Sequence, residues 1–269
     1  MKKWMKISIA ILVVTLVSAI LYFANEYQNK SLLQNPEINI LVKGENAFLT
    51  KKELFQRLTR KGLIYSGQKV EDLQINKIEC FIEKMTEVLE ARVYRGLGKS
   101  WNIDVEIRRP IARIFNKSGQ SFYLDELGHT ISPSYLYTAR VVVVTGDIID
   151  KKSAMTVSKL NANPKYIPNY ELDDIFRLSH YIVNNNFFNH QIGQIYLERP
   201  GKYILIPRVG GQKIIFGSAY SDEEVKLKFR KLADFYKEGL PYEGWNAYNC
   251  INLSFENQVV CSKTEEEKL

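Results

Sequence analysis

Residues 7–24, ISIAILVVTLVSAILYFA, contain no charged side chain, and this stretch constrains the chain more than any motif in it. As a helix it would be about 27 Å long at 1.5 Å per residue, close to the thickness of a bilayer's hydrocarbon core. Lys2, Lys3 and Lys6 precede it, and Asn25, Glu26, Tyr27 and Gln28 follow. Basic flanks stay on the cytoplasmic side, so the long remainder is expected across the membrane. Trp4 at one end and Tyr22, Phe23 and Tyr27 at the other suit the two interfacial belts. A cleavable signal peptide is the alternative, but its apolar core usually spans about 7–15 residues and an A-x-A-like site should follow. The reading is a single-pass anchor over 7–24 behind a cytoplasmic tail of residues 1–6.

Beyond the anchor the composition is that of globular protein, 45% hydrophobic and 25% charged over the whole chain. That leaves enough chain for one large domain or two smaller ones. The net charge is +7, partly from the lysines of the tail. The rest is dispersed along the chain, which reads as solvated charge and gives no nucleic-acid footprint.

The chemistry-bearing motifs dissolve on inspection. Gly98-Lys99-Ser100 ends like a phosphate-binding loop, but Val93 stands where the first glycine belongs and the segment joins two strands. Ser66-Gly67-Gln68-Lys69 matches S-x-x-K without a companion K-T-G. His129, His180 and His190 have no metal-ligand spacing. Asp125, Glu126, Asp173 and Asp174 fall at strand ends or helix starts. Cys80, Cys250 and Cys261 show no C-x-x-C, and a two-residue turn at Glu256–Asn257 would set Cys261 opposite Asn252, diagonal to Cys250, so free buried thiols are expected. No catalytic, cofactor or metal site is expected, and the chain is read as a non-enzyme with no small-molecule substrate.

A polar spacer over 25–35 leads into strand, helix, helix, strand, strand. The first strand is 38–42; Thr50 with Glu53 then makes a capping box. Ile75, Ile78, Ile82, Met85 and Leu89 give the second helix one buried stripe, and strands 91–94 and 101–107 meet at the Gly96–Gly98 turn. After Pro110 strands dominate: 111–115, 121–124, 141–144, 195–197, 202–206 and 213–216. Helices are expected over 170–183 and from Ser221 to a stop at Gly239 and Pro241. Strands 248–255 and 258–261 close the fold, and the Glu-rich end, 263–269, is expected to be disordered. Two segments stay interesting. Arg108, Arg109, Pro110 and Arg113 form a stiff interdomain joint whose arginines are either solvated or engaged with a partner. The final hairpin ends either in an interior strand or in a strand whose open backbone edge receives a partner.

In this order, a basic tail, one membrane helix, a βααββ unit, Arg109-Pro110-Ile111-Ala112-Arg113, Tyr123-Leu124-Asp125 with Gly128, Val143-Val144-Thr145-Gly146 and the closing hairpin resemble the bacterial cell-division protein family FtsQ/DivIB. The resemblance implies an α+β chain: one transmembrane helix, a POTRA domain over 36–108, and a larger, mostly antiparallel β domain with helices over 109–262. It implies a membrane-anchored scaffold at the division site of the inner membrane, without catalysis or cofactor. The implied partners are FtsB- and FtsL-like coiled-coil membrane proteins, through which septal peptidoglycan synthesis is controlled. The family's last hairpin takes FtsB as an added strand, which maps here onto Phe255, Glu256, Asn257, Val259, Val260 and Cys261. Cys261 replaces the aromatic that the family carries near the end of that strand. The alternative is a POTRA-type docking component of polypeptide transport or outer-membrane assembly.

Overall fold

The computed structural model describes residues 2–42, 48–151, 157, 171–244 and 247–263. They fall into two compact units, Met1–Val42 with Leu49–Ile107, and Lys43–Phe48 with Arg108–Leu269.

The first unit begins with α1, Lys2–Asn29, whose segment Ile7–Asn29 is long and apolar enough to cross a membrane and is unburied throughout. Its hydroxyls do not interrupt the apolar surface. Ser8, Thr15 and Ser18 donate back to the carbonyls of Trp4, Leu12 and Val14 at 3.1, 2.9 and 2.8 Å, so none needs water. Helix continues to Asn29, beyond the charge-free run, and the residues after it are not slack. Leu33 N–H donates to Gln68 O, Val70 N–H to Ser31 O, and the buried Trp101 indole to Gln34 O at 2.9 Å.

Those bonds tie the residues after α1 to a domain built on a three-stranded sheet, ordered β1 (Glu37–Leu41), β3 (Trp101–Ile107), β2 (Val88–Arg95), with β1 parallel to β3. Period-2 alternation in β3 is strict: Trp101, Ile103, Val105 and Ile107 are buried, and the residues between them are half-buried. Two helices cover that face, α2 (Lys51–Arg60) and α3 (Ile75–Glu83), contributing Leu54, Leu58, Ile78 and Ile82 to the core. Thr50 caps α2, its hydroxyl accepting from Glu53 N–H. The expected stripe runs two steps too far, because the helix ends at Glu83, Met85 lies in the turn beyond it and Leu89 belongs to β2. Leu89 fits both a period of 3.6 and the neighbouring strand, and the pairing of Val88–Arg95 with β3 wins.

The second unit is built on one nine-stranded sheet. Its strands are β4 (Pro110–Phe115), β5 (Ser121–Asp125), β6 (Thr130–Ile131), β7 (Val142–Gly146), β8 (Ile192–Arg199), β9 (Lys202–Pro207), β10 (Lys213–Gly217), β11 (Tyr248–Asn252) and β12 (Val260–Lys263). In space they run β12-β11-β10-β9-β8-β7-β4-β5-β6, with β4–β7, β7–β8 and β10–β11 parallel and the other pairs antiparallel. Alternate residues, among them Ile114, Val144, Leu197, Tyr203, Leu205, Phe216 and Ile251, form one core with α4 (Leu172–Asn184), α5 (Asn186–Gln191) and α6 (Asp222–Asp234). Aromatic contacts fill the space between helices: Tyr181 stacks on Phe229 at 4.5 Å, and Phe229 also meets Phe188 and Phe216. The expected stop at Gly239 and Pro241 is only a change of pitch. A π turn, Phe235–Gly239, passes into the short α7, Leu240–Glu243, where Pro241 sits in the first turn and needs no N–H. Tyr170 and 264–269 lie outside the described residues.

Candidate interaction site at the terminal hairpin

β12 is the end strand of the nine and pairs only with β11 among the described residues. The register is Asn252↔Val260, Ile251↔Cys261 and Cys250↔Ser262, one residue away from that of a two-residue turn. The chain spends residues 253–259 on the connection, and three interactions explain why. Asn252 Oδ1 accepts from Ser254 N–H at 2.9 Å, closing an Asx turn that leads the chain out of the ladder. Leu253 N–H donates to Ile215 O at 2.9 Å, prolonging the bond row to β10. Lys231 of α6 reaches across, its ammonium donating to the carbonyls of Phe255 at 2.6 Å and of Leu253 and Glu256 at 3.2 Å. Burial and the neighbouring Lys228 push the Lys231 pKa below its usual value, and the three carbonyl dipoles supply what the lysine loses in water.

The bond from Leu253 fixes which backbone groups are open. Along a strand, N–H and C=O groups point alternately to the two sides. Leu253 turns to β10, so Asn252 and Cys250 turn to β12, and their partners Val260 and Ser262 turn back to them. Cys261 and Lys263 therefore present N–H and C=O outward. Side chains alternate through the sheet plane. Val259 and Cys261 pack against the core, whereas Phe255 and Val260 are 45% and 40% exposed, with Glu256 and Asn257 exposed between them. A shallow groove beside the loop is walled by Lys231, Phe235 and Glu238 and by residues 257–259 of the hairpin. The result is an extended backbone edge, a short apolar exposure and a groove, suited to holding a polypeptide strand.

A family model described as FtsQ/DivIB, C-terminal related, matches residues 109–262, more than half of the chain. The chain belongs to the FtsQ/DivIB family. A POTRA-like domain model matches residues 34–106, the region of the βααββ unit. No curated protein matches the chain. The FtsQ/DivIB domains are of the non-catalytic scaffold type and point to a role in division, and the apolar α1 points to membrane anchoring.

In this FtsQ/DivIB chain the arginine segment is engaged within its own unit. Arg108 Nη1 lies 2.8 Å from Asp125 Oδ2, with Asp125 buried. Asp125 Oδ1 also accepts from the N–H groups of Leu127 (2.9 Å) and His129 (2.6 Å), so one carboxylate holds both Arg108 and the turn after β5. Arg109 meets Glu126 at 3.5 Å, and Pro110 opens β4 opposite Asp125. Arg113 donates to Ser121 Oγ at 3.2 Å, its guanidinium 4.9 and 5.3 Å from the rings of Phe115 and Tyr123. The hairpin residues and these arginines lie at separate places in the sheet, β12 at one end and β4–β5 toward the other.

All three cysteines are free, but the expectation of burial is corrected: Cys80 is exposed, and Cys250 and Cys261 are half-buried. Burial raises the pKa of Cys250 and Cys261, keeping both as neutral thiols of low nucleophilicity. Sequence reasoning missed Lys231 and Asn252, which set the hairpin's shape. An Asn at a strand end two residues before a serine is an Asx-turn signal; nothing in the sequence links Lys231 to carbonyls some twenty residues on.

Proposed function

We propose that this FtsQ/DivIB chain is a membrane-anchored, type II scaffold of the bacterial division complex. It captures FtsB- and FtsL-like partners by adding a partner strand to β12, and through them helps control septal peptidoglycan synthesis. Its N-terminus is cytoplasmic, and both folded units lie outside the cytoplasm at the division site of the inner membrane. The observation that carries this reading is the outward backbone of Cys261 and Lys263 at the end of the sheet. Main-chain pairing needs no particular side chain at Cys261, so the missing family aromatic does not weaken it. The test is affinity capture of the tagged full-length protein from solubilised membranes. Recovery of two small single-pass coiled-coil proteins with a septal synthase supports the reading. Recovery of barrel-assembly or secretion components in their place would favour the POTRA-type transport alternative.

A further inference from the structure

The basic turn between β2 and β3 has no role in strand capture, yet it carries an unusual side chain. Leu97 is 96% exposed, the highest value among the exposed large apolar side chains of the described residues. A lone surface leucine ordinarily needs no explanation; this one is set apart by where its turn is held. Gln28 Nε2, at the end of α1, donates to Gly98 O at 3.4 Å, and Gln34 N–H donates to Lys99 O at 3.1 Å. Gln28 lies four residues past the charge-free run, about 6 Å along the helix. The headgroup layer on each side of a bilayer's hydrocarbon core is about 5–7 Å deep. The turn is thus fastened within the depth of the headgroup layer.

Its construction suits that level. Gly98 takes φ +69°, open to glycine at no steric cost, and a Cβ at Gly96 would lie 2.4 Å from Ser100 Oγ and so displace that hydroxyl. Gly96 N–H donates to Ser100 O and Ser100 Oγ to Leu97 O, both at 2.9 Å, so the tip is stiff. Arg95 and Lys99 flank Leu97, both exposed and without a carboxylate partner among the described residues. An apolar tip between two cations matches the interface between acyl chains and anionic headgroups.

We propose that residues 96–100 sit in the interface of the bilayer that α1 spans, with Leu97 dipped toward the acyl chains and Arg95 and Lys99 on lipid phosphates. This rests on the reading of α1 as a membrane anchor, and holds whichever side the folded units occupy. The test places a nitroxide on Leu97→Cys in the full chain reconstituted in vesicles, with Cys80, Cys250 and Cys261 changed to serine. Leu41→Cys is the control. It is also exposed, but pairs with Glu106, five residues along β3 from Trp101 and so about 16 Å further from the turn. The label at 97 is expected to be several-fold more accessible to oxygen than to a water-soluble nickel chelate, and the label at 41 the reverse. Adding phosphatidylglycerol to phosphatidylcholine vesicles should protect 97 further, and Arg95→Glu with Lys99→Glu should erase that gain. Equal nickel accessibility at 97 and 41, in a chain that resists alkaline extraction, overturns the inference and leaves the anchor standing. A chain that alkali extracts loses the anchor and the inference together.

Discussion

If Cys261 and Lys263 carry the open backbone of β12, two adjacent proline substitutions should act in opposite ways. Cys261→Pro deletes an N–H that points away from β11, and edge strands tolerate proline on the solvent side. Its predecessor Val260 is already in the extended ladder, as a residue before proline requires. The fold should lose less than about 1 kcal/mol. Within β12 the outward residues offer an incoming strand two N–H and two C=O groups. Removing one donor costs about 1 kcal/mol net, and the pyrrolidine ring disturbs the adjacent rung by a similar amount. Together that is about 2 kcal/mol, or roughly a 30-fold weaker complex. Val260→Pro instead breaks the rung to Asn252 and should destabilise the hairpin itself by about 3 kcal/mol. The assay is paired, a thermal melt of each full-length variant in detergent and interferometric titration with the extended segment of the FtsB-like partner. Unchanged binding by a folded Cys261→Pro chain would show that capture occurs elsewhere. A Cys261→Pro chain that unfolds while Val260→Pro melts like the parent would show that the in-out alternation is misassigned.

Other parts of the chain give sharper stability readouts. Lys231→Met removes the ammonium shared by three loop carbonyls and should speed hydrogen exchange of residues 254–259 by about tenfold, reflecting about 1–2 kcal/mol; unaltered exchange would mean that the Asx turn suffices. Asp125→Ala strands Arg108 and two backbone N–H groups around a buried site. It should cost about 3 kcal/mol, read as a lowered urea midpoint, and a loss under 1 kcal/mol would contradict the holding role given to Asp125. Burial pushes Asp150 up to about 6, and burial with the nearby Glu171 pushes Asp174 up to about 7; the Tyr203 hydroxyl, which donates to Asp174 at 3.3 Å, opposes the latter rise. Between about pH 4 and 7 the folded chain keeps protons that the unfolded chain, with carboxyl pKa values near 3.9, has released, so these groups make stability fall as pH rises. The drop between pH 5 and 8 should shrink in Asp174→Asn, and an identical profile in both proteins would refute it.

What was legible in the sequence follows local rules. Thr50 and Ser221 do cap helices, their hydroxyls accepting from Glu53 and Glu224 N–H. The alternation of β3 reads directly as a half-covered sheet, because period 2 and burial are one fact. Non-local competition was not legible. Leu89 suits a helix stripe until β3 pairs with its segment. Glu256–Asn257 looks like a two-residue turn until Lys231 gathers the preceding carbonyls and shifts the register by one. The arginines of the R-x-P-I-A-R segment could be placed at a joint, but only the fold supplies the buried Asp125 for Arg108. That the last strand lies at a sheet edge was one of two readings the sequence left open; which of its backbone groups face out depends on a bond to Ile215 in another strand.

The bonds from residues 31–34 to Gln68, Val70 and Trp101 have a consequence for how a partner is found. A free tether of about a dozen residues would let the first domain wander over roughly 20 Å. Sewn to the domain, the same residues leave it riding directly on the helix. On the proposed reading, both proteins are confined to one bilayer and already search in a plane, and fixing one domain's height narrows that search to a thin layer above it. The ordering entropy is spent once, at folding, and need not be spent again at each encounter.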